Sequence, residues 1–291
     1  MISSPLVTIG IPFFNAQSYL AFAIQSVISQ SYTNWELILV DDGSTDQSLS
    51  IAKSFSDSRI RLLSDGLHLG LPIRLNQITS LARGFYVARM DADDIMFQDR
   101  IAQQVIYFVE HPEVDVLGTG YCLVSTRNSI LQLSITREQP DWGNAIFSGE
   151  FIAHPTVMAR RDWYLKNPYS KSYPRAEDRV LWVESRKQTV FRNIPKPLLF
   201  YRVYELDVKK YVATNKSLIK FYCHSLCNSS VPLLRSFLNL FLFITKTVLY
   251  LVANSFGSTF FIKRLSCQSI DASQVDELEK QLHLQAYEVK L

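Results

Sequence analysis

The chain holds only four cysteines in 291 residues, Cys122, Cys223, Cys227 and Cys267, and their scattered positions do not form a disulfide framework. Cys223-His224-x-x-Cys227 lacks a second ligand pair at zinc spacing, so buried thiols in a reducing compartment fit it better than a metal. The opening stretch MISSPLVTIG has no basic region followed by a long apolar run, which excludes a secretory signal there and makes the cytoplasm the expected place of any catalytic part. A dinucleotide fingerprint is missing: Gly118-Thr119-Gly120 is followed by Leu123 where the third glycine should stand. Walker-type loops, internal repeats and low-complexity linkers are absent as well. A net charge of only +3 argues against a nucleic-acid partner. Its distribution is uneven, however. Between residues 208 and 264 there is no Asp or Glu, while Lys209, Lys210, Lys216, Lys220, Arg235, Lys246, Lys263 and Arg264 sit among apolar side chains.

What is present, 47% hydrophobic and 20% charged residues, can bury one large core plus an appendage. Short β-rich runs alternate with helical patterns through the first two hundred residues, the mark of a layered α/β domain. Val7, Ile9 and Ile11 predict a strand closed by Pro12, and WELILV at 35–40, IRLL at 60–63, FYVARM at 85–90 and VDVLG at 114–118 predict further strands. HPTVMARR at 154–161 and LLFYRV at 198–203 are expected to be strands too. Leu20, Ile24, Val27 and Ile28 recur at helical spacing, and Ser44 or Thr45 is expected to cap the helix after DDGSTD. LPIRLNQITSLAR predicts a helix stopped by Gly84, with further helices from about Asp99 to Glu110 and at 177–187. This layered part should end near Tyr204 to Tyr211, giving a domain over 1–210 and a helical extension over 211–291.

ARMDADDI, residues 88–95, crowds Asp91, Asp93 and Asp94 at the end of a predicted strand, and Asp41-Asp42 follows another. Ligands of such sheets bind beyond the carboxyl ends of the strands, so both clusters are expected to face one crevice. One carboxylate can cap the next helix, but the others repel one another unless a cation sits between them. Hard divalent cations take oxygen ligands and bridge carboxylates to phosphate, which points to a metal-mediated diphosphate site. An EF-hand would want Gly at Met96 and Glu at Ala102, and a phosphatase with Asp91 as nucleophile matches in part, with Ile95 where Thr or Val is expected.

VTIGIPFFNAQSYLAFAIQSVISQSYTNWELILVDDGSTDQS, LNQITSLARGFYVARMDADD, HPTVMARR and AEDRVLW together resemble the successive blocks of the family 2 glycosyltransferases, over roughly residues 5–205. The resemblance implies an inverting enzyme of the GT-A fold that uses nucleotide sugars. It implies that Asp42 accepts a hydrogen bond from the nucleobase, that Pro12 and Phe14 line the base pocket, and that Asp91 and Asp93 form the DxD motif. Asp93 would be the direct ligand of Mg²⁺ or Mn²⁺ and Asp91 would lie nearer the ribose; Arg89 is either a plain strand residue or a cation that helps neutralise the diphosphate. Asp94 is either a further member of that cluster or a cap of the following turn. Asp178, in the Glu177-Asp178 pair that opens a helix, would be the catalytic base. The alternative for this pair is a charged helix start, and for His154 a structural histidine in place of an acceptor-side or phosphate-side group. Two departures stand out: Tyr204 replaces a histidine common at that point of the family, and the Gln-x-x-Arg-Trp block of processive synthases is missing, which favours transfer of a single sugar.

Residues 237–253 form a long apolar run interrupted by Asn239 and Lys246. With Arg235 these fall on one side of a helix, roughly 40° apart. Such a stripe suits a helix lying in a membrane interface, and the basic surroundings suit anionic lipid, so residues 231–264 are expected to meet the cytoplasmic face of a membrane. Packing in a core or a homodimer, and a true span, are the alternatives. A membrane-bound transferase would meet a glycan or lipid-linked acceptor in surface polysaccharide or lipopolysaccharide assembly. Two other readings of the chain are a catalytically silent scaffold with the same fold and an Asp-dependent phosphohydrolase. The acidic segment after residue 271 is expected to be a solvated helix.

Overall fold

The computed structural model describes residues 4–140, 152–204, 207–228, 231–255 and 272–287. Strand β1 (Val7–Phe13) lies between β2 (Trp35–Asp41) and β4 (Tyr86–Arg89), with β3 (Ile60–Ser64) outside β2, and all these pairings are parallel. In the other half, β8 (Met158–Arg160) runs antiparallel to both β4 and β6 (Val116–Val124). Beyond β6 come β9 (Phe191–Arg202), parallel to it, and β5 (Ile95–Met96), antiparallel to β9, while β7 (Ile130–Ser134) forms a hairpin with β6.

The near-continuous apolar run of β2 reflects burial on both faces. Leu37 and Leu39 pack on the side of α1 (Leu20–Ile28) and α4 (Arg100–Glu110), with Ile24, Val27, Ile101 and Val105. Ile38 and Val40 face the opposite layer, built by α3 (Leu71–Leu81), α5 (Arg161–Lys166) and α6 (Glu177–Ser185), with Leu75, Ile78, Trp163 and Trp182. Successive side chains of one strand thus serve two cores. The parallel register pairs Phe13 with Asp41 and Gly10 with Arg89, which brings the carboxyl ends of β1, β2 and β4 to one edge.

Several local expectations are corrected. HPTV does not extend the strand: His154–Thr156 is a single 3₁₀ turn, and pairing begins at Met158. Helix α3 ends at Ala82 in extended conformation, so Gly84 is not its left-handed cap. Gly84 is needed for close approach instead, since a Cβ there would lie 2.4 Å from the Thr8 nitrogen. Helix α2 (Ser48–Ser54) starts later than Ser44 or Thr45, whose backbone and hydroxyl groups meet Asn15 across the crevice edge.

After β9 the chain forms α7 (Val208–Asn228) and α8 (Leu233–Ser255), packed against each other and, through Leu218, Phe221 and Phe243, against Val180 and Val183 of α6. Among the described residues no helix is long and apolar enough to cross a membrane. Helix α8 is inverted in polarity. Ser236 and Asn239 are fully buried on its inner side, and Asn215 of α7 donates to Thr247 at 3.0 Å, while Phe237 and Phe241 are 60% and 73% exposed. Helix α9 (Ala272–Tyr287) is not the solvated helix its acidic residues suggested: Leu278 and Leu282 pack beside Phe97, Val124 and Phe200 on the sheet.

Candidate active site

A cleft of about 580 Å³ opens above the ends of β1, β2 and β4. Its lining includes Phe14, Asp42, Arg89, Asp91, His154, Glu177 and Asp178, so residues far apart in the chain meet there. Pro12 does not line the cleft, being buried within β1, and Asp93 lies outside the lining too.

At one end, Asp42 is held by protein donors on both oxygens. Oδ1 accepts from Arg74 Nε at 2.8 Å and from the Leu69 nitrogen at 2.8 Å, and Oδ2 accepts from the Gly70 nitrogen at 3.1 Å. His68 Nδ1 stands 2.9 Å from Oδ2, and its ring lies 4.2 Å from that of Phe14. Arg74 is fully buried and also clamps Asp65, whose carboxyl is held well below the usual range chiefly by that guanidinium. Of the two side chains holding Asp42, Arg74 is buried and His68 is exposed, and His68 is the one an incoming base could displace.

The DADD cluster divides its charge among three partners. Asp91 pairs with Arg89, Asp93 accepts from the Tyr204 hydroxyl at 2.8 Å, and Asp94 accepts from the Arg202 nitrogen at 2.9 Å. Asp94 is therefore a buried anchor for the end of β9 and not a turn cap. Oxygens of the three carboxylates come within 4.8 Å of one another. Burial, then the neighbouring charge of Asp91, pushes the Asp93 carboxyl above its ordinary value, and the second oxygen of Asp94 is buried without a partner. An all-oxygen set with surplus negative charge fits a hard divalent cation. The buried Arg89 guanidinium has no partner for Nε or Nη1. Pairing with Asp91 opposes the cost of its burial, and its proton is held more tightly than in water.

The opposite wall comes from the 3₁₀ turn and the start of α6. His154 Nε2 is 2.8 Å from the Tyr169 hydroxyl, and Nδ1 is 3.9 Å from Asp178 Oδ2. Burial, with the positive charge of Arg89 behind it, drives His154 well below its ordinary pKa, so this contact is between a neutral imidazole and a carboxylate and is not an ion pair. Glu177 is buried, and desolvation together with the Asp178 charge pushes it up to about 7. Asp178 is the more exposed of the two carboxylates and reaches the cleft at the first turn of α6.

His68, Arg74 and Tyr169 escaped the sequence reading. A histidine in a loop and an arginine at helical spacing carry no local signal, because their roles exist only against Asp42 and His154 from other elements.

A mixed sheet with its parallel half ending in two acidic clusters over one cleft defines the GT-A class of transferases. The Glycosyl transferase family 2 profile matches residues 8–172, and the chain belongs to that family. EpsE of Bacillus subtilis strain 168 is 36% identical over 211 residues, covering 70% of this chain and 75% of that protein. UDP-Glc:alpha-D-GlcNAc-diphosphoundecaprenol beta-1,3-glucosyltransferase WfgD of Escherichia coli is 30% identical over 182 residues, covering 62% of this chain and 70% of its own. The fold is also that of the mannosyltransferase PcManGT from Pyrobaculum calidifontis, solved with GDP-Man and Mn²⁺, at a TM-score of 0.61, 17% identity and coverage of 96% and 81% of the two chains.

Proposed function

We propose that this glycosyltransferase moves one sugar, with inversion, from a nucleoside-diphosphate sugar to a hydroxyl of a lipid-linked glycan at the cytoplasmic face of a membrane, in surface polysaccharide or lipopolysaccharide assembly. The observation that carries the reading is that one cleft is lined by Phe14, Asp42 and Asp91 on one side and by His154, Glu177 and Asp178 on the other. In it, Phe14 and Asp42 receive the base, Asp91 lies toward the ribose, and Arg89 faces the diphosphate. Mg²⁺ or Mn²⁺, held by Asp93 and Asp91, would supply charge neutralisation for the leaving diphosphate. Asp178 takes the proton of the acceptor hydroxyl as its oxygen bonds to the anomeric carbon and the bond from that carbon to the diphosphate oxygen breaks. Glu177 and His154 shape the acceptor side.

The acceptor class is supported by WfgD, which is named for a diphosphoundecaprenol-linked substrate, and by the apolar outer face of α8, a surface that suits a membrane. Residues 1–210 would be the catalytic domain and 211–291 its membrane-facing extension, with a homodimer as the other use of that face. A silent scaffold is the second reading, favoured by the Tyr204 hydroxyl that occupies Asp93 where the family often has a histidine. The phosphohydrolase reading is set aside, because the chain belongs to the family 2 glycosyl transferases.

Calorimetric titration with UDP, GDP and dTDP, each with and without Mn²⁺, tests this directly. Metal-dependent binding of one nucleotide is expected, lost in Asp93→Asn and kept in Asp178→Asn, which instead stops transfer. No binding by the folded protein would favour the scaffold, and equal loss of binding in both variants would sink the separate roles.

A further inference from the structure

A second cleft, of about 400 Å³, lies against the first, and the two share Arg175 and Asp178. Arg179 of α6, Asn215 of α7, and Phe243 and Lys246 of α8 are also part of its wall. Three cations thus face one carboxylate. Among the described residues none of the three is paired with an acid, although seven other contacts between an Arg or Lys and a carboxylate are found there. The Arg179 guanidinium sits 5.7 Å over the Phe243 ring, which keeps it in the cleft without neutralising it.

We infer that this cleft binds the phosphate or diphosphate group through which the acceptor sugar is joined to its lipid. The inference rests on the transferase reading above and adds the anion site that reading lacks. A neutral glycan needs no surplus of positive charge. An ester of phosphate or diphosphate does, and Arg and Lys are its usual partners. Location agrees with this chemistry. Asp178 opens onto both clefts, so a sugar hydroxyl can reach the base from the donor side while the phosphate behind it lies among Arg175, Arg179 and Lys246. Lys246 also stands at an edge of α8: exposed Leu249 follows it by roughly 60° around the helix axis, on the side where Phe241 and Leu234 continue the apolar face. A lipid chain leaving the phosphate at Lys246 therefore meets apolar surface at once. The acid-free composition of α7 and α8 follows from the same need, since a carboxylate there would repel the phosphate or pair with its cations.

Farnesyl diphosphate and farnesol are the probes, titrated into the full chain in EDTA so that no divalent ion draws the diphosphate to the DADD cluster. Farnesyl diphosphate should bind at least about tenfold tighter than farnesol. Two phosphate-facing cations contribute on the order of a factor of five each, so Arg179→Ser combined with Lys246→Ser should lose roughly thirtyfold, and Arg179→Lys with Lys246→Arg should regain most of it. Should the double serine variant not fold, Lys246→Ser alone, at the cleft edge, should lose about fivefold. Unchanged farnesyl diphosphate affinity in the serine variants overturns the inference. So does a loss confined to phosphatidylglycerol vesicles, which would assign the cations to membrane headgroups. Nucleotide titration with Mn²⁺ is run beside these: its failure removes the transferase reading, whereas intact nucleotide binding with charge-independent farnesyl diphosphate binding removes the anion site alone.

Discussion

Glu177 offers the sharpest test of the electrostatics at the acceptor wall. Its carboxylate is 4% exposed, one oxygen has no hydrogen-bond partner, and it follows Ala176 at the start of α6 next to Asp178. Desolvation first, and the Asp178 charge second, raise its pKa to about 7. Against an ordinary value of 4.5, and at 1.36 kcal/mol per pH unit, the gap corresponds to about 3 kcal/mol. The sign follows from proton affinity: the folded state holds this proton more tightly than the unfolded chain. Below pH 4.5 both states are protonated and the stability is fully present; it falls as the pH rises and is lost once the pH passes about 7. Glu177→Gln removes the titration, so relative to wild type the variant should gain about 3 kcal/mol between pH 4.5 and pH 8. Urea unfolding of both proteins at pH 4.5, 6 and 8 reads this difference. Carboxylates held low by partners, such as Asp57 with Arg59, lose their contribution only as the pH falls and do so equally in both proteins. Parallel stability profiles for the two proteins would refute the buried, uncompensated Glu177.

Two further outcomes are expected. Gly84→Ala would push a Cβ to 2.4 Å from the Thr8 nitrogen and 2.7 Å from the Tyr86 carbonyl oxygen, both main-chain atoms, and should cost about 2 kcal/mol or more. That lowers Tm by roughly 4 °C or more, and a Tm within a degree of wild type would contradict the close approach. His68→Ala removes the imidazole from Asp42 Oδ2, which keeps the Gly70 N–H, and uncovers the face of Phe14, and should tighten binding of whichever nucleotide the protein takes by roughly two- to fivefold, the size of one exposed polar contact. Weaker binding in the same titration would mean that the imidazole stays on the base.

Much of the site was legible because its signals are local. The apolar runs of β1 and β2 announced strands, and parallel pairing brought Asp42 and the DADD cluster to one edge. The ordered motif blocks added His154, Glu177 and Asp178, which the fold gathers into the same cleft. Other readings failed where a residue answered to a distant partner. Ser44 and Thr45 looked like helix caps but bind Asn15, and Gly84 looked like a helix stop but clears space for Thr8. Acidic residues made α9 look solvated, although Leu278 and Leu282 decide its packing.

By itself, then, the sequence determined most of the strands and helices of the first two hundred residues, where the carboxylates cluster, and the family to which the chain belongs, because periodicity, turn chemistry and ordered motifs are written in neighbouring residues. Only the tertiary structure decided what each carboxylate faces. Asp42 is locked by Arg74, Asp93 by Tyr204, and one oxygen of Glu177 is left without a partner, and the polar side of α8 is turned inward so that its apolar side is bare. Charge state and affinity depend on burial and on partners within a few ångströms, and those distances are set by folding between residues far apart in the chain.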